Sequence, residues 1–183
     1  ITPAILLSFL KFLDLRKFDD VMFWSAALLA FFGFLRISEF TTSKFDPKWD
    51  LQPTSLSFDR LSNPTIMCVL LKTSKSDPMR AGVSISIGKA NPVLCPLVAM
   101  SNYLWARGDS LGPLFIHADG QPLSRFSFSK KLSELCSQCG FPGDFTSHSF
   151  RIGAATSASA RGISDSLIQK LGRWSSDASK AYV

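Results

Sequence analysis

His148 and Arg151 stand three residues apart at the entrance to an alanine-rich, helix-forming run. That spacing lets an imidazole and a guanidinium leave one face of a single helical turn, a place to hold an anion. The chain then turns at Gly162, enters a second short helical pattern from Ser164 to Leu171, passes Gly172, Arg173 and Trp174, and reaches Tyr182 through a polar segment. A cation, an imidazole, an indole and a phenol thus come within reach of one small site. Each also has an ordinary structural reading: His-x-x-Arg is commonly a capped helix with solvated charges, and a tryptophan near a helix end is commonly core.

Arg36 is a second arginine of interest, because it directly follows fifteen mostly apolar residues, Val21 to Leu35. Buried without a partner there it would be costly, so it must face a carboxylate, a ligand or solvent. Taken alone, the simplest arrangement is an Arg36–Glu39 ion pair on a helix surface. The string His-x-x-Arg, small-residue helix, Gly-Arg-Trp and Tyr resembles the carboxy-terminal half of the tyrosine recombinase (phage integrase) catalytic domain. Its wording Gly-Arg-Trp-Ser-Ser-Asp-Ala is most similar to recombinases carried by eukaryotic mobile elements of the Crypton and DIRS type. In that family Leu-Arg-x-x-Glu closes the corresponding helix, and Arg36 and Glu39 match it in type and spacing. The resemblance implies that Arg36 holds the scissile phosphate and that Glu39 buttresses the site.

With 183 residues, 46% of them hydrophobic, the chain has room for one domain with a sizeable core. A net charge of +6, scattered along the chain, favours a polyanionic partner and suits a surface wrapped on a duplex. Four cysteines, Cys68, Cys95, Cys136 and Cys139, are too few and too irregular for a disulfide framework and point to a reducing, intracellular setting. Cys136 and Cys139 form a Cys-x-x-Cys, but with only His117 and His148 as histidines no second ligand pair for zinc is evident, and no metal or cofactor is expected. Val21 to Leu35 is too short for a membrane span and ends in an arginine. No membrane partner is expected.

The elements that must position these residues follow in order. Thr2-Pro3 starts a helix, and acidic Asp19-Asp20 precede a buried central helix over Val21 to Phe34. Period-2 runs at Ser55–Phe58, Thr65–Leu71 and Gly82–Ile87 predict a small antiparallel sheet. Between the last two lies a polar hairpin tip, where Lys75 in Ser-Lys-Ser-Asp resembles the recombinase hairpin lysine; Lys72 is the alternative, since a register slip would exchange them. A helix runs from Pro96 to about Arg107 with Tyr103 as core or rim packing. Another starts at Ser124 and finishes near Cys139, and Thr146 or Ser147 caps the helix of His148 and Arg151. The fold class expected is α+β, mainly helical, with one catalytic domain over residues 1–183 as a fragment lacking an amino-terminal core-binding domain and a carboxy-terminal tail.

The chemistry implied is metal-free phosphodiester cleavage, which needs an aligned nucleophile, charge on the non-bridging oxygens and a proton donor at the leaving oxygen. By resemblance Arg36 and Arg151 grip the phosphate and His148 handles a proton. Trp174 donates its indole N–H, Lys75 protonates the departing 5′ hydroxyl, and Tyr182 forms a 3′-phosphotyrosyl link. One departure stands out: Trp174 and Tyr182 are eight apart, whereas many relatives have nine between the equivalent residues, so Arg173 is the other candidate for the position given to Trp174. The function implied is site-specific DNA strand cleavage and rejoining for mobile-element integration or excision. Double-stranded DNA, a homotetramer on that DNA and a nuclear location go with it. The alternatives are a domesticated, catalytically silent DNA-binding module and a type IB topoisomerase-like relaxing enzyme.

Overall fold

The computed structural model describes residues 1–72, 81–141, 145–146 and 148–174. Among these, the chain forms six α-helices and one three-stranded sheet. Helix α1 (Pro3–Phe9) opens as its sequence requires, with the Thr2 hydroxyl accepting from the Ile5 amide at 3.4 Å and proline in the first turn. Helix α2 (Phe18–Phe32) carries Asp19 and Asp20 in its first turn and is buried on almost every side, from Met22 to Phe31. It is the central helix, and it packs against both α3 (Pro96–Arg107) and α5 (Ser149–Ser159). Helix α4 (Arg125–Gln138) is capped by Ser124, and α6 (Asp165–Gly172) ends at a left-handed Arg173.

Strands β1 (Leu56–Phe58), β2 (Ile66–Leu71) and β3 (Val83–Gly88) form an antiparallel meander in that order. The register pairs Ser57 with Cys68 and Leu71 with Val83. Alternation along β2 turns Met67, Val69 and Leu71 into the core and leaves Ile66 and Leu70 on the exposed face. The period-2 expectation therefore holds strand by strand, and the hairpin tip begins where β2 ends. Lys72 follows Leu71 directly and donates its ammonium to the Pro47 carbonyl at 2.8 Å. Lys75 lies outside the described residues.

Tyr103 is fully buried, as its neighbours suggested, and its hydroxyl is satisfied on both sides. It donates to the Leu114 carbonyl at 3.1 Å and accepts from the Ile116 amide at 3.0 Å. Arg107 finishes the same job, giving hydrogen bonds to the carbonyls of Leu114 and Pro113 at 3.1 and 2.8 Å. The loop that follows α3 is thereby tied down without regular structure.

One correction concerns the central helix. It stops at Phe32 rather than continuing through Phe34. Phe34 takes a left-handed conformation (φ 50°), and Arg36 is extended and leads into a single 3-10 turn over Ile37–Glu39. The helix is closed by its own turn: the Phe34 amide donates to the Phe31 carbonyl at 3.3 Å and the Leu35 amide to that of Ala30 at 2.9 Å, a cap that places Phe34 in the left-handed region.

The elements that carry the candidate residues meet at one aromatic cluster. Phe128 of α4 stacks on Phe23 of α2 with centroids 5.1 Å apart, meets Phe40 edge-on at 5.1 Å, and packs on Phe150 of α5 at 5.6 Å. Phe40 adjoins Glu39 and Phe150 adjoins Arg151, so this cluster sets the spacing between the two halves of the site. Phe128→Ala is expected to cost about 3–5 kcal/mol of stability, from lost burial plus the cavity left behind. Chemical denaturation followed by circular dichroism would measure it.

Candidate active site

The turn that closes α2 meets the Ala30 and Phe31 carbonyls with the chain's own amides, and the carbonyls of Gly33 and Phe34, just past its last residue, take donors from elsewhere in the chain. Two arginines supply them. Arg151, 4% exposed, donates from Nη1 to the Phe34 carbonyl at 3.2 Å and from Nη2 to the Gly172 carbonyl at the end of α6. Arg173 donates from Nη1 to the Gly33 carbonyl at 3.2 Å and from Nη2 to that of Phe34 at 3.3 Å. The negative end of the helix dipole lies at these same carbonyls and favours both cations.

The third arginine arrives from the other direction. Arg36 gives its backbone N–H to Glu39 Oε2 at 2.8 Å and its guanidinium to Oε1 at 3.1 Å, which closes the 3-10 turn on itself. Arg173 Nη2 reaches the same Oε2 at 2.8 Å. The Arg36–Glu39 pair expected on a helix surface is thus real but internal. Side-chain exposure is 3% for Glu39, 10% for Arg173 and 18% for Arg36. Burial lowers the Arg173 pKa from its ordinary value, Arg36 adds to that lowering, and Glu39 opposes it. Its Nε is buried with no hydrogen-bond partner.

Trp174 does not share the Arg173 environment. Its ring lies under Arg151, with the guanidinium carbon 4.2 Å from the ring centroid, and meets Phe34 edge-on at 6.4 Å. A cation over an indole face in a buried setting contributes roughly 0.5–2 kcal/mol. Gly172 makes this possible, because a Cβ there would overlap the Trp174 ring.

His148 occupies the N-cap position of α5 and is exposed, whereas Arg151 one turn later is buried. The two share a helix entrance but not a solvent environment. The Thr146 hydroxyl accepts from the His148 amide at 3.3 Å, and the Ser149 hydroxyl accepts from the Thr146 amide at 2.8 Å. Of the candidate residues, Arg36, Glu39, Arg151 and Trp174 are gathered around the exit of α2, and His148 stands at the near end of α5. Tyr182, like Lys75, lies outside the described residues, and so does Ser147. What the sequence left open was Arg173, for which the eight-residue interval between Trp174 and Tyr182 was the available signal. Among the described residues no group of three or more histidine, cysteine or acidic side chains is placed to hold a metal ion. No helix there is long and apolar enough to cross a membrane.

Guanidiniums drawn from sequence positions more than a hundred residues apart thus meet at one carboxylate. The model of the phage integrase family matches residues 60–182, well over half of the chain. The chain belongs to the phage integrase family. Its fold is that of the tyrosine recombinase catalytic domain, as comparison with solved structures shows. The XerH site-specific recombinase bound to its difH substrate superposes over 100% of this chain and 50% of its own, with a TM-score of 0.72 and 14% identity. A lambda integrase dimer bound to a core site gives 0.67 and 16%, over 100% of this chain and 58% of its own. The Tn1549 transposon integrase in complex with circular intermediate DNA gives 0.68 and 18%, over 100% and 60%. The chain therefore spans about half to three-fifths of the length of these structures. No curated protein matched the chain in a sequence comparison.

Two stability effects follow from this family member's site. Glu39→Ala leaves two buried guanidiniums facing each other and is expected to cost about 3–5 kcal/mol in urea denaturation. Gly172→Ala must expel the Trp174 ring from beneath Arg151, at a cost of about 1–3 kcal/mol. A change in tryptophan fluorescence should accompany it.

Proposed function

We propose that this chain is the catalytic domain of a site-specific DNA recombinase that cleaves and rejoins strands through a 3′-phosphotyrosyl intermediate on Tyr182. The observation that carries the reading is the convergence of Arg36, Arg151 and Arg173 on the exit of α2, around Glu39, in a chain of the phage integrase family. In this reading Arg36 grips the non-bridging oxygens of the scissile phosphate. Arg151, held between Phe34 and Gly172, adds positive potential from behind, and Trp174 keeps it in place. His148, exposed at the start of α5, is positioned by its helix to exchange a proton with the phosphate or the phenol.

The Tyr182 oxygen attacks phosphorus, the bond to the 5′ oxygen breaks, and Lys75 gives the departing oxygen its proton. A 5′ hydroxyl from the same or another strand then reverses the step. The phosphoester is conserved throughout, so no external energy source is consumed. Lys72 is less suited to the proton transfer, because its ammonium is engaged by the Pro47 carbonyl.

The proposal extends by resemblance to a Crypton- or DIRS-type mobile element, to action in the nucleus, and to a tetramer on two DNA sites. It also includes the organisation in which residues 1–183 are the catalytic domain of a protein that has an amino-terminal DNA clamp. The share of XerH, lambda integrase and Tn1549 integrase that the chain covers supports that last point, and the DNA complexes of these proteins support duplex DNA as the partner.

The test uses a nicked suicide DNA substrate and the natural protein containing this chain. Wild type is expected to give a covalent protein–DNA adduct on a denaturing gel, and Tyr182→Phe none. Lys75→Ala should slow adduct formation by about 10²–10⁴-fold, the usual worth of a general acid. A substrate with sulfur in place of the 5′ bridging oxygen should restore the rate, because a thiolate leaves without a proton. Absence of any adduct on candidate sites to which the protein binds would favour a silent DNA-binding module.

A further inference from the structure

Away from the exit of α2, an aspartate, a histidine and a serine from three separate elements meet at a small cavity. His117 stands in the turn between Ile116 and Pro122, where its amide donates to the Gln121 carbonyl at 2.8 Å and its carbonyl accepts from the Gly120 amide at 2.9 Å. The next amide, that of Ala118, donates to Asp19 Oδ1 at 2.8 Å and ties the turn to the start of α2. His117 Nδ1 lies 3.5 Å from that same oxygen, and Nε2 lies 3.1 Å from the hydroxyl of Ser127 on α4. The Asp19 contact is an ion-pair distance rather than a tight hydrogen bond, as is common before a substrate binds.

The Ser127 oxygen accepts from the Ser124 amide at 3.1 Å and stands 3.0 Å from the Ser124 hydroxyl. Its one proton has two acceptors in reach, the Ser124 carbonyl and His117 Nε2, each at 3.1 Å. The carbonyl already accepts from the Phe128 amide at 3.0 Å, so the imidazole has the greater need of it. Asp19 favours the tautomer with the proton on Nδ1, which leaves Nε2 as the base.

From this geometry we infer that Asp19, His117 and Ser127 form a second catalytic site, one that hydrolyses esters of small carboxylic acids through an acyl-serine. Such a trio is recognised by geometry and roles on any fold. The cavity beside it, about 190 Å³, is lined by Met22, Phe23 and Leu123, an apolar wall for a short acyl chain. Lys131 lines it too, four residues beyond Ser127 on the same face of α4, with its ammonium on Asp20 Oδ1 at 2.7 Å. Its charge suits the oxygen that turns negative when the carbonyl is attacked. Ser127 Oγ bonds to the carbonyl carbon while Nε2 takes its proton; the bond to the alcohol oxygen then breaks, and the imidazolium protonates that oxygen. Water, with His117 again as base, attacks the acyl-serine, releases the acid and restores the serine. One ester and one water become one acid and one alcohol. The site shares no residue with the exit of α2 and does not depend on DNA cleavage there.

The test uses the natural protein with para-nitrophenyl acetate as substrate, and a fluorophosphonate probe located by peptide mass spectrometry. His117→Gln and Ser127→Ala are each expected to lower hydrolysis by about 10²–10⁴-fold, the usual worth of a positioned general base. The fluorophosphonate should modify Ser127 in wild type and leave it unmodified in His117→Gln. Circular dichroism confirms the fold of each variant. His117→Gln leaves the Ser124–Ser127 cap untouched, so it decides the matter if Ser127→Ala fails to fold. A smaller loss in His117→Gln, or a wild-type protein whose Ser127 takes no phosphonate, overturns the assignment.

Discussion

The carbonyl end of a fully buried helix is the constraint from which the rest of this site follows. Helix α2 runs through the centre of the domain, its closing turn meets the Ala30 and Phe31 carbonyls, and those of Gly33 and Phe34 are left to other donors. An unmet buried carbonyl costs of order 1–3 kcal/mol. Arg151 from α5 and Arg173 from the end of α6 meet the Gly33 and Phe34 carbonyls directly. The same bonds fix how α5 and α6 dock on α2. The groups gathered at the candidate site are therefore also those that close the fold.

This double duty explains why the positive charge is tolerable. A buried guanidinium loses much hydration energy, and only good geometry with further hydrogen bonds restores it. Here the guanidiniums face carbonyls at the negative end of a helix dipole, a buried carboxylate, and in one case an indole face. One Glu39 between Arg36 and Arg173 orients both. A lysine at either buried position could hold the charge but could not span two carbonyls with a rigid fork.

How far such an arrangement can be read from the chain depends on the range of the interaction. The strands were legible because alternation is local, and Met67, Val69 and Leu71 face the core as their spacing predicts. Tyr103 was legible as packing because apolar neighbours surround it in sequence. Arg36 and Glu39 were legible as a pair, but their burial was not, since burial depends on α6 arriving from the far end of the chain. The early end of α2 at Phe32 was hidden for a different reason: the cap that closes it puts Phe34, a residue that ordinarily avoids it, in the left-handed conformation, and nothing in Phe32-Gly33-Phe34-Leu35 forbids a further turn of helix. His148 and Arg151 looked equivalent by helical spacing, yet one caps the helix at the surface and the other lies beneath it.

Arg173 and Trp174 show how one backbone conformation divides two roles. Adjacent residues on a continuing helix would point about 100° apart along one rising spiral, and both could not reach partners around the same helix end. The left-handed conformation at Arg173 ends α6 abruptly and redirects the chain. The Arg173 side chain turns in to Glu39 and the α2 carbonyls, while Trp174 folds back over Gly172 to lie under Arg151. The nine-residue interval from Arg173 to Tyr182 and the eight-residue interval from Trp174 then need not compete for a single position. Arg173 joins Glu39 to the exit of α2 and Trp174 supports Arg151, so the two adjacent residues hold different parts of the candidate site.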